Sequence, residues 1–302
     1  MRKIGYALLA SLVMGFYINV TGQKTNYESF DITPDSVFLP WAEGPAVDAD
    51  GVLYAVNYKH KGTIGLVKPD GTHELFVNLP EGSVGNGIRL WKHDRLLIAD
   101  YTNHNILQIN IPDKTIRVMA HNDSMSQPND LAITSAGMIY VSDPDWENNT
   151  GKVWMIDQQG KFTLLETDMG TTNGIEVSPD ENRLYVNESN QGNVWIYDIL
   201  EDGTIANKQL FKKFEDFGMD GMRCDIKGNL YISRIGKGTI AILSPDGKLL
   251  HEVVLKGDKP SNVAFGGTDG KMVYVTVADR GAIEAFRTEF PGRSSSLIEL
   301  WY

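Results

Sequence analysis

The chain has 302 residues, with 28 Lys and Arg against 39 Asp and Glu, a formal net charge of −11, 42% hydrophobic and 22% charged residues. That balance describes a globular protein and excludes a disordered one, and an acidic surface repels nucleic acid and anionic membranes. The single cysteine, Cys224, excludes an internal disulfide and reads as a packed thiol, since nothing near it in sequence marks a base.

In chain order, Arg2 and Lys3 come first, then an apolar run over residues 6–17, then Val20-Thr21-Gly22-Gln23. A basic start, a short apolar stretch and a polar end form the layout of a secretory signal peptide, with cleavage expected near residue 23. The other reading, a membrane anchor, has an apolar core short for a bilayer. No cysteine lies near residue 20, which excludes a bacterial lipoprotein anchor. Without residues 1–23 the chain has 26 basic against 39 acidic side chains, a net −13. Export to the periplasm or the medium, with no membrane attachment afterwards, is the expectation. Residues 24–302 are expected to form one domain and to act as a monomer.

From residue 43 onward one pattern recurs six times: a polar residue with Gly or Asp, an alternating apolar run, a turn, and a second strand. Examples are Asn129-Asp130-Leu131-Ala132-Ile133 before Met138-Ile139-Tyr140-Val141-Ser142, and Asn173-Gly174-Ile175-Glu176-Val177 before Arg183-Leu184-Tyr185-Val186-Asn187. The lead residues Glu43, Asn86, Asn129, Asn173, Asp220 and Asn262 are separated by 43, 43, 44, 47 and 42 positions. Each interval holds two further strand-like stretches, with turns such as Pro69-Asp70-Gly71 and Pro245-Asp246-Gly247 between them. Four short strands per repeat of this length predict an all-β, six-bladed β-propeller with four antiparallel strands in each blade. The N-terminal segment would close the ring, with residues 35–39 as the outer strand of the last blade.

In such a blade the innermost strand begins on the face where the second strand ends. All six lead side chains therefore converge on the axis at one face, and the turns after the second strands wall a pocket. Every lead residue carries oxygen and none is His or Cys, a hard-donor set suited to Ca²⁺, with Mg²⁺ and Mn²⁺ next. Read singly, Asn-Gly and Asp-Gly merely make tight loops into the strand. Glu43 fits that reading least, because a carboxylate aimed at a channel needs a partner. In the walls, Tyr58, Tyr101 and Trp146 are candidate platforms for a ring, or simply rim packing. Arg234 and Arg280 are candidate carboxylate binders, or surface ion pairs. Of six histidines only His104 falls in a turn on this face, so a histidine pair has no second member.

The pieces Glu43-Gly44-Pro45, Pro128-Asn129-Asp130 with Tyr140-Val141-Ser142-Asp143-Pro144, Asn173-Gly174-Ile175-Glu176-Val177-Ser178-Pro179-Asp180, Asp220-Gly221-Met222-Arg223 and Ala264-Phe265-Gly266-Gly267 occur in order, one per blade. Together they resemble the gluconolactonase, regucalcin and senescence-marker-protein family of propellers, from about Glu43 to Asp279. The resemblance implies one divalent cation, Ca²⁺ first and Mg²⁺, Mn²⁺ or Zn²⁺ after it, on Glu43, Asn129, Asn173 and Asp220. It also implies hydrolysis of a sugar lactone, with Asp220 as general base or as the group that steers the attacking water. Asn86 and Asn262 then become supporting or substrate-side groups. Asp130 would orient the Asn129 amide or cap the loop. Mammalian members carry an arginine two residues before the blade-three asparagine, where this sequence has Gln127. Two other readings keep the metal: a non-catalytic binding propeller, and a phosphotriesterase similar to diisopropyl fluorophosphatase.

Overall fold

The computed structural model describes residues 26–92 and 94–301; the segment read as a signal peptide lies outside them. Six four-stranded antiparallel sheets are arranged radially as the blades of a propeller. The inner strands are Ala46–Val47, Gly85–Trp91, Leu131–Ile133, Thr172–Val177, Met222–Cys224 and Pro260–Gly266. Each touches the next and the last touches the first, so they form a closed cycle around the axis.

The burial pattern follows from this arrangement. A strand deep in a blade is covered by blades on both faces, so Leu53–Val56 and Thr239–Leu243 are buried at every position and read as continuous apolar runs. The outermost strands, such as Leu249–Val254, lie mostly exposed. Accordingly the core lies between blades. Tyr54, Val56 and Ile64 of the first blade pack on Ile88, Leu96 and Ile98 of the second.

The sixth blade is completed by the N-terminal segment, through Phe30–Asp31 paired antiparallel to Ala282–Arg287. Residues 35–39 do something other than the expected outer strand. The Ser36 and Phe38 amides donate to the Arg280 and Gly281 carbonyls, and the Leu39 amide donates to the Asn57 carbonyl in the first blade. That stretch staples the last blade to the first. Arg280 fastens the same seam, pairing with Asp31 at 2.8 Å, Asp35 at 2.5 Å and Glu284 at 2.7 Å. It is thus committed to ring closure instead of a ligand.

At the far ends of the inner strands a short helix, Arg293–Trp301, packs on Pro260–Gly266. Its Arg293 is buried and reaches the Ser178 carbonyl (3.1 Å), the Ile133 carbonyl (3.0 Å) and Glu181 (2.7 Å). Among the described residues no helix is long and apolar enough to cross a membrane.

A candidate metal centre at the floor of a cavity

The lead residues meet because the inner strands crowd the axis, and the glycines after them permit that crowding. Of Gly44, Gly87, Gly174 and Gly221, only Gly44 has a positive φ, at 56°. The tight-loop reading of these pairs therefore gives way to close approach. A Cβ on Gly174 would stand 2.5 Å from the Asp220 carbonyl, and one on Gly87 2.4 Å from the Asp130 carboxylate. Bare backbone also lets one inner strand bond the next: the Gly87 amide donates to the Asn129 carbonyl at 2.8 Å and the Gly221 amide to the Ser261 carbonyl at 2.7 Å.

Glu43, Asn129, Asn173 and Asp220 are all buried and together line the floor of a cavity of about 520 Å³. The Asn173 amide nitrogen donates to Ser189 Oγ at 3.0 Å, and that hydroxyl donates in turn to the Met219 carbonyl. The Asn173 carbonyl oxygen is left buried with no hydrogen-bond partner, and so is that of Asn129. Buried acceptors without a donor cost on the order of 1–3 kcal/mol each, so two at one spot call for an unprotonated electrophile. The carboxylates point the same way. Burial and the Asp130 charge raise Glu43 to about 7, although the Gly44 amide (2.6 Å) and Asn262 (3.1 Å) donate to it. Burial, the Glu43 charge and the hydrogen bond with Glu43 push Asp220 well above the usual carboxylate range. Two carboxylates and two free carbonyl oxygens, with no nitrogen or sulfur donor, fit a hard divalent cation. Among the described residues no cluster of three or more His, Cys, Asp or Glu could hold a metal, so the amide oxygens must complete any such site.

Beneath the floor the axis is filled by alternating charges. Asn262 donates to both Glu43 and Asp130. Asp130, fully buried, takes a bidentate pair from Arg89 at 2.8 and 3.3 Å and a further bond from Arg223 at 3.1 Å. Arg223 and Arg293 flank Glu176 at 4.0 and 3.5 Å. Asn262, read as a supporting or substrate-side group, and Asp130, read as orienting the Asn129 amide or capping its loop, are joined by these contacts into a platform under the four candidate ligands. Cys224 also lies down here, its thiol pushed well up by burial.

Of the other expected contacts, Asn86, Tyr101 and Trp146 line the cavity, and Tyr58, Gln127 and Arg234 do not. Tyr58 turns into the blade, bonding His73 at 3.1 Å and packing edge-on against Phe38. The Gln127 backbone amide is held at 2.7 Å by the buried Asp143, which also accepts from Trp154. Arg234 is 1% exposed, lies over the Phe214 ring and binds the Asp216 carboxylate at 2.8 Å. It pins the loop that delivers Asp220 and sees no ligand. His104 is likewise absent from the lining. The sequence reading missed Pro40, Trp41, Val84 and Met219, which sit on loops between outer and inner strands, and Asn187, which donates to the Asp220 carbonyl at 2.6 Å. The period marks where strands begin, but not how far the connecting loops lean over the axis.

Comparison with known proteins agrees with this geometry. The SMP-30/Gluconolactonase/LRE-like region matches residues 41–279. The chain is 25% identical over 276 residues to the gluconolactonase of Zymomonas mobilis subsp. mobilis, covering 80% of this chain and 77% of that one. It is 30% identical over 159 residues to a pentonolactonase of Haloferax volcanii, covering 52% of this chain and 55% of the relative, so the match spans about half of that protein. In fold it is similar to a calcium-binding protein, regucalcin, from Agrobacterium tumefaciens, with a TM-score of 0.75 and 19% identity over 86% of this chain and 95% of that one.

Proposed function

The chain belongs to the SMP-30/gluconolactonase/LRE-like family, and from that premise we propose that it is an exported, divalent-metal-dependent lactonase. The observation that carries this reading is the pair of partnerless carbonyl oxygens on Asn129 and Asn173, beside two buried carboxylates at the floor of a cavity. The relatives named gluconolactonase and pentonolactonase support the reaction class. Glu43, Asn129, Asn173 and Asp220 would hold the cation, calcium in the first instance, and when bound it would polarise the lactone carbonyl and steady the charge that grows on its oxygen.

The chain's own groups do the rest. Asp220 has its carboxylate among the residues lining the cavity, so it is the group to take the proton from the attacking water. Its backbone is fixed by two bonds, its amide donating to the Ser233 carbonyl and its carbonyl accepting from Asn187, and the next residue, Gly221, donates to the Ser261 carbonyl. Ser189 accepts from the Asn173 amide nitrogen, which leaves the Asn173 carbonyl oxygen as the atom available to a cation. The water oxygen joins the acyl carbon, the ring C–O bond breaks, and the proton ends on the alkoxide that leaves.

Hydrolysis of glucono-δ-lactone with calcium present, and its loss in EDTA with recovery on adding calcium back, tests the proposal. Undiminished activity in chelator would overturn the metal's role. Calcium bound but no lactone opened would point to the binding-propeller reading. Export is tested separately by N-terminal sequencing of protein from the periplasm or medium; a mature chain beginning near residue 24 is expected, and an intact residue 1 on cytosolic protein would contradict it.

A further inference from the structure

Resting on the lactonase reading, we propose that the preferred substrate is a polyhydroxy lactone with an ionised carboxylate at the end away from its acyl carbon, selected by Lys61. Among the described residues three charged side chains line the cavity: Glu43, Lys61 and Asp220. Glu43 and Asp220 are buried at the floor, and a divalent cation held by them balances their two charges. Lys61 is then the net charge that an entering ligand meets. Among the described residues no carboxylate pairs with its ammonium, whereas Lys237 pairs with Asp216 and Glu252, and Lys256 with Asp31.

The amides of the lining indicate the rest of the ligand. Asn57 is 7% exposed; its nitrogen donates to the Trp41 carbonyl (3.0 Å), and its carbonyl oxygen is buried with no hydrogen-bond partner. Asn86 and Asn190 also donate through nitrogen, to the Asn129 carbonyl (3.1 Å) and to Asn149 (2.9 Å), which leaves each a carbonyl oxygen to accept with. Amide oxygens accept from hydroxyls and repel anions, and a buried acceptor without a donor is costly. The lining thus offers hydroxyl acceptors and one cation, the complement of a sugar acid. A phosphate carries close to two charges at pH 7 and would leave one unmatched, whereas a carboxylate carries one.

One loop sets the order along the cavity. Residues 57–62 join Leu53–Val56 to Thr63–Val67, with Asn57 buried at the start and Lys61 exposed near the end. The loop is pinned: the Thr63 hydroxyl bonds the Tyr58 and His60 carbonyls at 2.7 and 2.6 Å, and the Leu79 amide donates to the Gly62 carbonyl at 2.8 Å. Lys61 therefore extends from a fixed backbone, and no loop has to order when a ligand binds. The acyl carbon lies at the floor, the hydroxyls meet the amides, and the carboxylate meets Lys61 at the rim.

The test compares kcat/KM, with calcium, for D-glucaro-1,4-lactone and D-glucono-1,4-lactone, which differ only in a terminal carboxylate against a terminal hydroxymethyl group. The acid is expected to be favoured by at least about tenfold. Lys61→Met should remove about tenfold of that preference, through KM, and leave the neutral lactone within about twofold, while Lys61→Arg should keep most of it. Lys59→Met takes the same charge from the same loop, where the ammonium lies 5.5 Å over the Tyr58 ring and outside the cavity lining, and should leave the preference unchanged. Calorimetric titration of the two products gives a readout apart from turnover: D-glucarate should bind about tenfold tighter than D-gluconate, and the difference should vanish in Lys61→Met. No preference for the acid, a preference that survives Lys61→Met, or one lost equally in Lys59→Met overturns the assignment. So does an equal fall on both lactones in Lys61→Met, which would give Lys61 a part in the reaction itself. In each of these cases the metal lactonase stands; failure on both lactones with calcium bound overturns the reading beneath it.

Discussion

On the proposed reading Asp220 joins two tasks in one side chain, ligand and proton acceptor, and the two respond differently to substitution. Asp220→Asn keeps an oxygen donor but removes the charge and the basicity, so kcat is expected to fall by about 10²–10⁴ while calcium binding weakens but persists. Isothermal titration beside steady-state kinetics separates the effects; a variant that binds calcium and retains full kcat would remove Asp220 from the proton's path. A second expectation concerns Gly221. A Cβ there would lie 2.0 Å from the Asn262 side chain, which cannot simply step aside because it bridges Glu43 and Asp130 and accepts from the Val263 amide. Gly221→Ala should cost about 1–3 kcal/mol and weaken calcium binding together. A stability loss with unaltered affinity would show that Asn262 does not position Glu43. At this scale the sequence was partly transparent. Residue type and order marked the six lead residues as a set, and only the family resemblance picked Glu43, Asn129, Asn173 and Asp220 from them, whereas Arg234 reads equally well as a ligand binder or as the clasp on Asp216 that it is. Only the direction of its side chain decides, and that depends on the loop folded over it.

At the scale of elements, the seam that closes the ring rests on two residues of strand pairing in the last blade, reinforced by Arg280. Glu284 is fully buried, so Arg280→Ala strands a carboxylate there and leaves it only the Lys256 and Gly257 amides. The expected loss is about 2–3 kcal/mol, with faster hydrogen exchange in Ala282–Arg287 than in the other blades. Uniform exchange across all six blades would mean the seam is not the first part to open. By contrast Ile98→Ala, between the first two blades, should cost about 2–5 kcal/mol with no preference for the seam. Blade boundaries were legible because a strand buried on both faces writes an unbroken apolar run. The closing strand was misplaced to residues 35–39, since Phe30–Asp31 is too short to carry any pattern and its pairing is settled by a partner more than 250 positions away.

The molecule as a whole shows its floor in its response to pH. Glu43 titrates near 7 when folded against an ordinary value of 4.5. Between those values the unfolded chain has released a proton that the metal-free folded chain still holds. Stability is therefore greatest below about pH 4.5 for this group and declines as pH rises toward 7. In chelator the decline should be on the order of 3 kcal/mol, read as a falling Tm. On the proposed reading a bound cation would take the proton's place, so its stabilising effect should grow over the same interval. A metal-free Tm that climbs steadily from pH 4.5 to 7 would contradict this account of the floor.

The Phe30–Asp31 strand also sets an order of events. These are among the earliest residues of the described chain to be made, yet their partner Ala282–Arg287 is among the last. Five blades can stack as their sequence emerges; the sixth must wait with a bare strand edge until the beginning of the chain returns to it. An unpaired edge is a template for the wrong chain, so closure competes with pairing between molecules until it is complete. Dilution should therefore raise refolding yield more than it changes the rate at which the first five blades gain structure, because the loss occurs at the ring's last joint.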